Sequence, residues 1–197
     1  MDIRRLDRLA LSLTGEVISR VEPEHLRLAT PCPDWTLYGL LRHLVGQNRG
    51  FAASARGAGQ AWAVWHGGDL ADDPVRAYEA SADEVTAAFA EDGVLERRFA
   101  LPEVGEGFTV PGRVAIGFHL LDYVVHAWDV AVTIGERWEP AGELTDAALR
   151  VAAKVPEEGR GAGAAFRRRI ALDGDAAPGD RLLALLGRDP SWTPGPC

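Results

Sequence analysis

The sequence contains little cysteine and lysine, and it has no long apolar run. Its two cysteines, Cys32 and Cys197, are too few for a disulfide-rich scaffold, and free thiols suit a reducing compartment. Lys154 is the single lysine and lies among no other active-site residues, so we set Schiff-base chemistry aside. No segment approaches the roughly 18 consecutive apolar residues of a membrane span, and the charged first residues are unlike a signal peptide. We therefore expect a cytoplasmic protein without a membrane partner.

Basic residues are also scarce relative to acidic ones. Lysine and arginine together number 21 against 29 aspartates and glutamates, which gives a formal net charge of -8. Phosphate binding needs clustered basic side chains, and the one basic run, Arg167-Arg168-Arg169, is short. The serines lack a nucleophile elbow. These absences argue against a nucleic-acid partner and against a serine hydrolase, and they leave a small molecule as the expected partner of a monomer or homodimer.

Apolar residues recur at helical spacing in four long segments. The pattern predicts helices over residues 3–21, 36–56, 74–91 and 111–134, with shorter helices over 145–155 and 179–186. Residues 94–110 are compatible with a short hairpin or an irregular crossover. With 197 residues and 47% hydrophobic content, the chain has enough apolar surface for one good core. We expect a mainly α fold: an antiparallel four-helix bundle over residues 1–140, and a short helical extension, residues 141–197, packed on it.

The fourth predicted helix carries three polar side chains on one stripe. His119, Asp122 and His126 fall within roughly 60° of one another around the helix axis, in an otherwise apolar segment. Burying two imidazoles and a carboxylate costs several kcal/mol unless something compensates, and a divalent metal compensates best. Asp122 and His126, four residues apart, present both donors over one turn. The sequence therefore places the candidate functional site on this helix.

A third metal ligand has to come from another helix, and His43 is the best candidate because leucines and a valine surround it on the second predicted helix. Other interpretations remain open. His43 could be a core-edge histidine bonded to a neighbouring helix. Asp122 could pair with Arg42 or Arg49, and His126 could simply donate to Asp122.

Three further residues are candidates for the pocket or for supporting the ligands. His119 is a candidate fourth ligand or pocket base, or it points past the site. Gln47, one turn after His43, could orient a ligand or meet a substrate, or make a helix-packing hydrogen bond. Asp129 could accept a hydrogen bond from a metal-bound imidazole, or face solvent.

The remaining reactive and aromatic residues have plainer interpretations. Cys32, between two prolines, is expected to be a small turn residue rather than a nucleophile. Trp35 and Trp128 are expected to pack helices together. The aromatic residues of the segment after the second helix form a lid over the pocket or cover hydrophobic surface; these are Trp62, Trp65 and His66.

Four stretches carry a resemblance to a known family. They are Thr30-Pro31-Cys32-Pro33-Asp34-Trp35-Thr36, Leu41-Arg42-His43-Leu44-Val45-Gly46, Asp122-Tyr123-Val124-Val125-His126-Ala127-Trp128-Asp129-Val130-Ala131, and Arg181 to Pro190. In this order the first three resemble the DinB/YfiT-like metal-binding four-helix bundles, in the branch of the mycothiol-dependent maleylpyruvate isomerase N-terminal domain, and the fourth resembles the small actinobacterial members of that branch. The resemblance covers nearly the whole chain. It implies that His43, Asp122 and His126 bind a divalent metal, with zinc favoured and nickel, iron or manganese compatible.

The resemblance also implies a type of chemistry. Characterised relatives use a thiol, either in isomerisation through a mycothiol adduct or in transfer of a thiol cofactor. Asp122 is shorter than the corresponding acid of the isomerase. We expect no full counterpart here of the isomerase's separate C-terminal domain, and we therefore do not expect maleylpyruvate itself as the substrate. We therefore expect a divalent-metal-binding protein that acts as a mycothiol-dependent isomerase or thiol transferase on a small molecule. The alternative is a non-catalytic metal- or ligand-binding stress-response domain.

Overall fold

The computed structural model describes residues 2–66, 68–161, 166–172 and 174–194; Cys197 lies outside this range. The elements in chain order are α1 (Ile3–Ile18), α2 (Leu37–Ala55), α3 (Pro74–Ala90), β1 (Arg98–Ala100), β2 (Thr109–Pro111), α4 (Gly112–Thr133), α5 (Gly142–Ala152) and α6 (Pro178–Leu185). The mainly α prediction is confirmed, and each predicted helix is present with ends shifted by a few residues. Of the two alternatives for residues 94–110, the chain adopts the hairpin, with β1 antiparallel to β2.

Side chains that accept hydrogen bonds from free backbone N–H groups explain where three helices begin. Asp2, Thr36 and Asp73 cap α1, α2 and α3, each accepting from a backbone N–H in the first turn. The first turn of α4 is instead capped by the backbone next to β1, because the Gly112 N–H donates to the Arg97 carbonyl at 2.8 Å. The start of α4, which carries the candidate residues, is therefore attached to the hairpin.

The first and last long helices lie side by side and run in the same direction. Asp7 of α1 contacts His119 of α4, and Thr14, two turns further along α1, donates to the Tyr123 carbonyl, which is also further along α4. The contacting residue numbers therefore increase in the same direction along both helices. This register makes α1 and α4 a parallel pair.

The second helix runs against α4. Leu44 accepts a hydrogen bond from the Tyr123 hydroxyl, and Asn48, one turn later on α2, contacts His119, one turn earlier on α4. Asn48 also donates to Ser81 of α3, which packs along α2. The opposed directions of α2 and α4 bring His43, one residue before Leu44, to the level of Asp122 and His126.

The extension packs on one side of these helices. Helix α5 contacts α4 and α1, partly through an ion pair between Arg5 and Glu143, and α6 packs on α5. A domain boundary near residue 140 stays a prediction. No helix in the described ranges is both long and apolar enough to cross a membrane.

Candidate metal centre

Helices α2 and α4 bring His43, Asp122 and His126 together. Asp122 lies between the two imidazoles: its Oδ2 is 3.4 Å from His43 Nε2 and its Oδ1 is 3.3 Å from His126 Nε2. The centres of the two rings are 5.1 Å apart, and one donor atom of each residue lies within 4.8 Å of the others. This spacing lets the three donors converge on one ion after small side-chain adjustments.

Two of these donor atoms lack an ordinary partner. His43 Nε2 and Asp122 Oδ2 are buried and form no hydrogen bond with any residue in the described part of the chain. Buried polar atoms are nearly always bonded, so such a pair calls for an explanation. The suggested ion pair of Asp122 with Arg42 does not form, because Arg42 donates to the Gly68 carbonyl at 2.9 Å. His43 Nε2 and Asp122 Oδ2 face each other at 3.4 Å without forming a hydrogen bond, and a cation bound by both atoms would satisfy them.

The charges in the cluster are strongly coupled. Burial alone would lower the pKa of His126, but the charge of the Asp122 carboxylate and the hydrogen bond to Asp129 outweigh burial and hold that pKa well above its usual value. Burial would raise the pKa of Asp122, yet the nearby charges of His126 and His43 outweigh burial and hold it well below its usual value. These neighbours favour the protonated form of His126 when no metal is bound.

Asp129 supports His126 from the other side of the ring. The Nδ1 of His126 lies 2.8 Å from Asp129 Oδ2, and the Asp129 side chain is fully buried. Burial would raise the pKa of Asp129, but the charge of Arg188 and the hydrogen bond to His126 hold it below its usual value. Metal-bound histidines usually donate their second nitrogen in this way, which fixes the ring. Asp129 therefore orients the Nε2 of His126 towards Asp122.

Arg188 and Cys32 complete this supporting group, and neither role was expected from the sequence. Arg188 Nη2 lies 3.2 Å from Asp129 Oδ2 and 3.2 Å from Cys32 Sγ, while the Cys32 thiol donates to the same carboxylate oxygen at 3.4 Å. Cys32 lies in the turn of residues 31–34, as expected, and its thiol additionally contacts Asp129 and Arg188.

A glycine turn explains how Arg188 reaches the site. Gly187 follows α6 with φ of 76°, in the left-handed region that favours glycine, and the Arg188 N–H bonds back to the Leu183 carbonyl at 2.9 Å. This helix-ending turn directs the Arg188 side chain towards α4. The glycine after the last predicted helix was a visible signal for the turn, but nothing in the sequence gave the partner of the arginine.

Cys32, His126 and Asp129 form a second group with donor atoms within 4.8 Å of one another. The Arg188 guanidinium already contacts both Cys32 and Asp129, so a metal ion there would face a fixed positive charge. Electrostatics therefore favours His43, Asp122 and His126 as the metal site.

An open pocket of about 440 Å³ lies above the three donors. Its lining residues are Pro31, Cys32, Pro33, Asp34, Trp35, His43, Asp122, His126, Arg167, Gly187 and Arg188. Trp35 lies against the His43 ring in a tilted arrangement with ring centres 4.6 Å apart, and it is 37% exposed, so it forms a pocket wall. The volume falls in the range of small-molecule sites.

Two of the predicted supporting residues lie elsewhere. His119 is fully buried, with its ring nitrogens 2.8 Å from Asp7 Oδ1 and 3.1 Å from Asn48 Oδ1, which leaves no nitrogen for a metal or a pocket. Seven residues of helix separate it from His126 by roughly 10 Å, so it shares the stripe but not the level of the site. Gln47 donates to Glu103 in the hairpin loop at 2.7 Å instead of contacting a ligand.

The aromatic segment after α2 does not form a lid. Trp65 is buried against Gly46 and Gly50 on α2 and donates to the Gly59 carbonyl, whereas Trp62 is exposed and contacts the His66 ring at a tilted angle. None of the three aromatic side chains lines the pocket. Of the two interpretations given for this segment, covering hydrophobic surface is the one that the structure supports.

Comparison with known proteins identifies the family of the chain. Residues 8–131 match the family described as the mycothiol maleylpyruvate isomerase N-terminal domain. The chain belongs to this family. Two uncharacterized proteins of Mycobacterium tuberculosis, from strains CDC 1551 / Oshkosh and ATCC 25618 / H37Rv, are each 33% identical over 189 residues, covering 95% of this chain and 98% of theirs. No solved structure matches. The family match contains all three donors and ends before Arg188.

Proposed function

We propose that this member of the mycothiol maleylpyruvate isomerase N-terminal domain family binds a divalent metal, with zinc favoured, through His43, Asp122 and His126. The observation that carries the proposal is the pair of buried atoms, His43 Nε2 and Asp122 Oδ2, that lack hydrogen-bond partners among the described residues. Nickel, iron and manganese are compatible with two imidazoles and one carboxylate. Three protein ligands below an open pocket leave room for an exogenous ligand, as catalytic sites require.

We further propose that the exogenous ligand is a thiol, and that the protein is a mycothiol-dependent isomerase or thiol transferase acting on a small molecule. A bound divalent ion would stabilise the thiolate at neutral pH. The chain's own residues would do the rest: Asp129 holds the ring of His126, and Trp35 and the turn residues Pro31 to Asp34 form pocket walls that limit access of water. A cytoplasmic location and a monomer or homodimer belong to the same proposal.

The metal content of the purified protein tests the site. Wild type, His43→Ala, His126→Ala and the control His66→Ala, which changes an exposed histidine outside the pocket, are reconstituted and analysed for bound metal. We expect about one equivalent in wild type and His66→Ala, and a loss of at least tenfold in affinity in the other two. Equal, negligible metal in all four proteins would refute the proposal.

Calorimetric titration of mycothiol into the metal-loaded protein tests the thiol. Saturable heat that disappears in His43→Ala supports thiol chemistry. Metal binding without any thiol binding would instead favour the alternative, a metal- or ligand-binding domain without catalysis.

A further inference from the structure

The buried guanidinium of Arg188 lies beside the metal centre but comes from the extension. Its side chain is 7% exposed, and it follows α6, more than fifty residues beyond the end of the family match. Burying a guanidinium is costly unless a carboxylate and hydrogen bonds compensate. The contact that compensates here is Asp129, which itself bonds His126.

The contacts of Arg188 form a chain that ends at a metal ligand. Its Nη2 donates to Asp129 Oδ2, and the same oxygen accepts from His126 Nδ1 at 2.8 Å. Asp129 Oδ1 has no partner among the described residues, so its carboxylate is fixed through one oxygen only. Without Arg188, the thiol of Cys32 and the imidazole would be the remaining bonds holding that oxygen in place.

We propose that Arg188 is a positioning residue of the metal centre. By holding Asp129, it keeps the His126 ring in the orientation that turns Nε2 towards Asp122 and His43. The inference deepens the proposed function, because it relies on metal binding at these three residues. It also gives the extension a role in the site: the family-matched bundle supplies the ligands, and residues after α6 set the orientation of one of them.

Arg160 offers a matched control from the same extension. Its side chain is 2% exposed, and its guanidinium donates to backbone carbonyls of the extension, among them those of Pro156 and Leu185. Removing it removes a buried arginine without touching Asp129. If buried arginines of the extension act only by stabilising its packing, Arg160→Met and Arg188→Met will affect the metal centre alike.

The experiment measures metal affinity in wild type, Arg188→Met, Arg188→Lys, Arg160→Met and Asp129→Asn, and in the double variant Asp129→Asn/Arg188→Met. We expect a 10- to 100-fold loss in Arg188→Met, the range typical of partners that hold a metal ligand, and a smaller loss in Arg188→Lys, which keeps the charge but not the planar fork. Arg160→Met should bind as wild type. The double variant should bind no more weakly than Asp129→Asn, because Arg188 acts through Asp129.

A second measurement uses the metal-free protein. In nuclear magnetic resonance spectra, the His126 Nδ1–H proton, assigned by its loss in His126→Gln, should be shifted downfield by its bond to Asp129. We expect the resonance to move or vanish in Arg188→Met and to remain in Arg160→Met. Should Arg188→Met fail to fold, Arg188→Lys provides both readouts.

Equal losses in the Arg188 and Arg160 variants, additive losses in the double variant, or an unmoved Nδ1–H resonance in Arg188→Met would overturn the inference. Failure of the proposed function gives a different result, since wild type would then bind no metal. In that case the resonance alone decides whether Arg188 positions His126.

Discussion

Metal binding at this site should release a proton. The charge of the Asp122 carboxylate and the hydrogen bond to Asp129 hold the pKa of His126 well above its usual value despite burial, which favours the imidazolium form when no metal is bound. A metal needs the Nε2 lone pair, and this nitrogen is the one that faces Asp122 at 3.3 Å. Each bound ion should therefore displace about one proton from His126 near neutral pH.

The size of the effect follows from linkage. Below the raised pKa of His126, each unit of pH decrease should weaken metal binding about tenfold, or about 1.4 kcal/mol, and the dependence should flatten only above that pKa. The stability that His126 gives the metal-free fold changes with pH in the opposite direction to metal affinity. A histidine with a raised folded-state pKa stabilises the fold at low pH, and this contribution is lost as pH rises through that pKa. The increase in melting temperature caused by metal should thus grow with pH.

Calorimetry in two buffers of different ionisation enthalpy measures the released protons directly. Asp129→Asn should release fewer protons per bound ion, because it removes a hydrogen bond that raises the pKa of His126 without removing a metal ligand. Asp34→Asn is the control, since Asp34 is an exposed residue of the pocket wall without an ion pair to His126. A wild-type affinity that does not vary from about pH 6 to about pH 8, with no proton release, would refute this electrostatic account.

Three substitutions test the surroundings of the site. His119→Ala should destabilise the fold by about 3 kcal/mol, because it leaves Asp7 buried without its partner, while one metal ion still binds. Urea unfolding measures the stability, and metal analysis measures the bound ion. Loss of the metal at unchanged stability would contradict the structural role given to His119. Gly50→Ala should cost about 1 to 3 kcal/mol in thermal unfolding, since its Cβ would lie 2.3 Å from the Trp65 ring; wild-type stability would show that the ring moves freely. Cys32→Ala should change metal affinity by less than about tenfold if the thiol is not a ligand, and complete loss of metal would assign the ion to the other donor group.

Local patterns predicted most of the fold. Helix caps and apolar spacing fixed the helices to within a few residues, and proline and glycine marked the start of α3 and the end of α4. Such signals depend on residues a few positions apart, so they survive in a single sequence. The directions of the helix pairs depend on the long connections between them. A pattern of helices alone does not determine whether α1 and α4 run parallel, and only their contacts settle it.

The residues of the candidate site also differ in whether local sequence patterns could place them together. Asp122, His126 and Asp129 share one helix, so their spacing predicts that they lie near one another, and the structure adds His43 through the opposed direction of α2. His119 was misplaced because residues on one face of a helix share a direction around its axis but can lie at different positions along it.

Arg188 is separated by 59 positions from Asp129 and by 156 from Cys32, and no periodicity connects residues at such distances. The surroundings of Asp129 nevertheless indicate that a cation must lie near it. Asp129 lies on an apolar helix, and a fully buried carboxylate bonded to an imidazole that is itself bonded to a second carboxylate needs an additional cation. The physical requirement is thus a positive charge near Asp129, and the extension satisfies it by placing an arginine after the turn that ends α6.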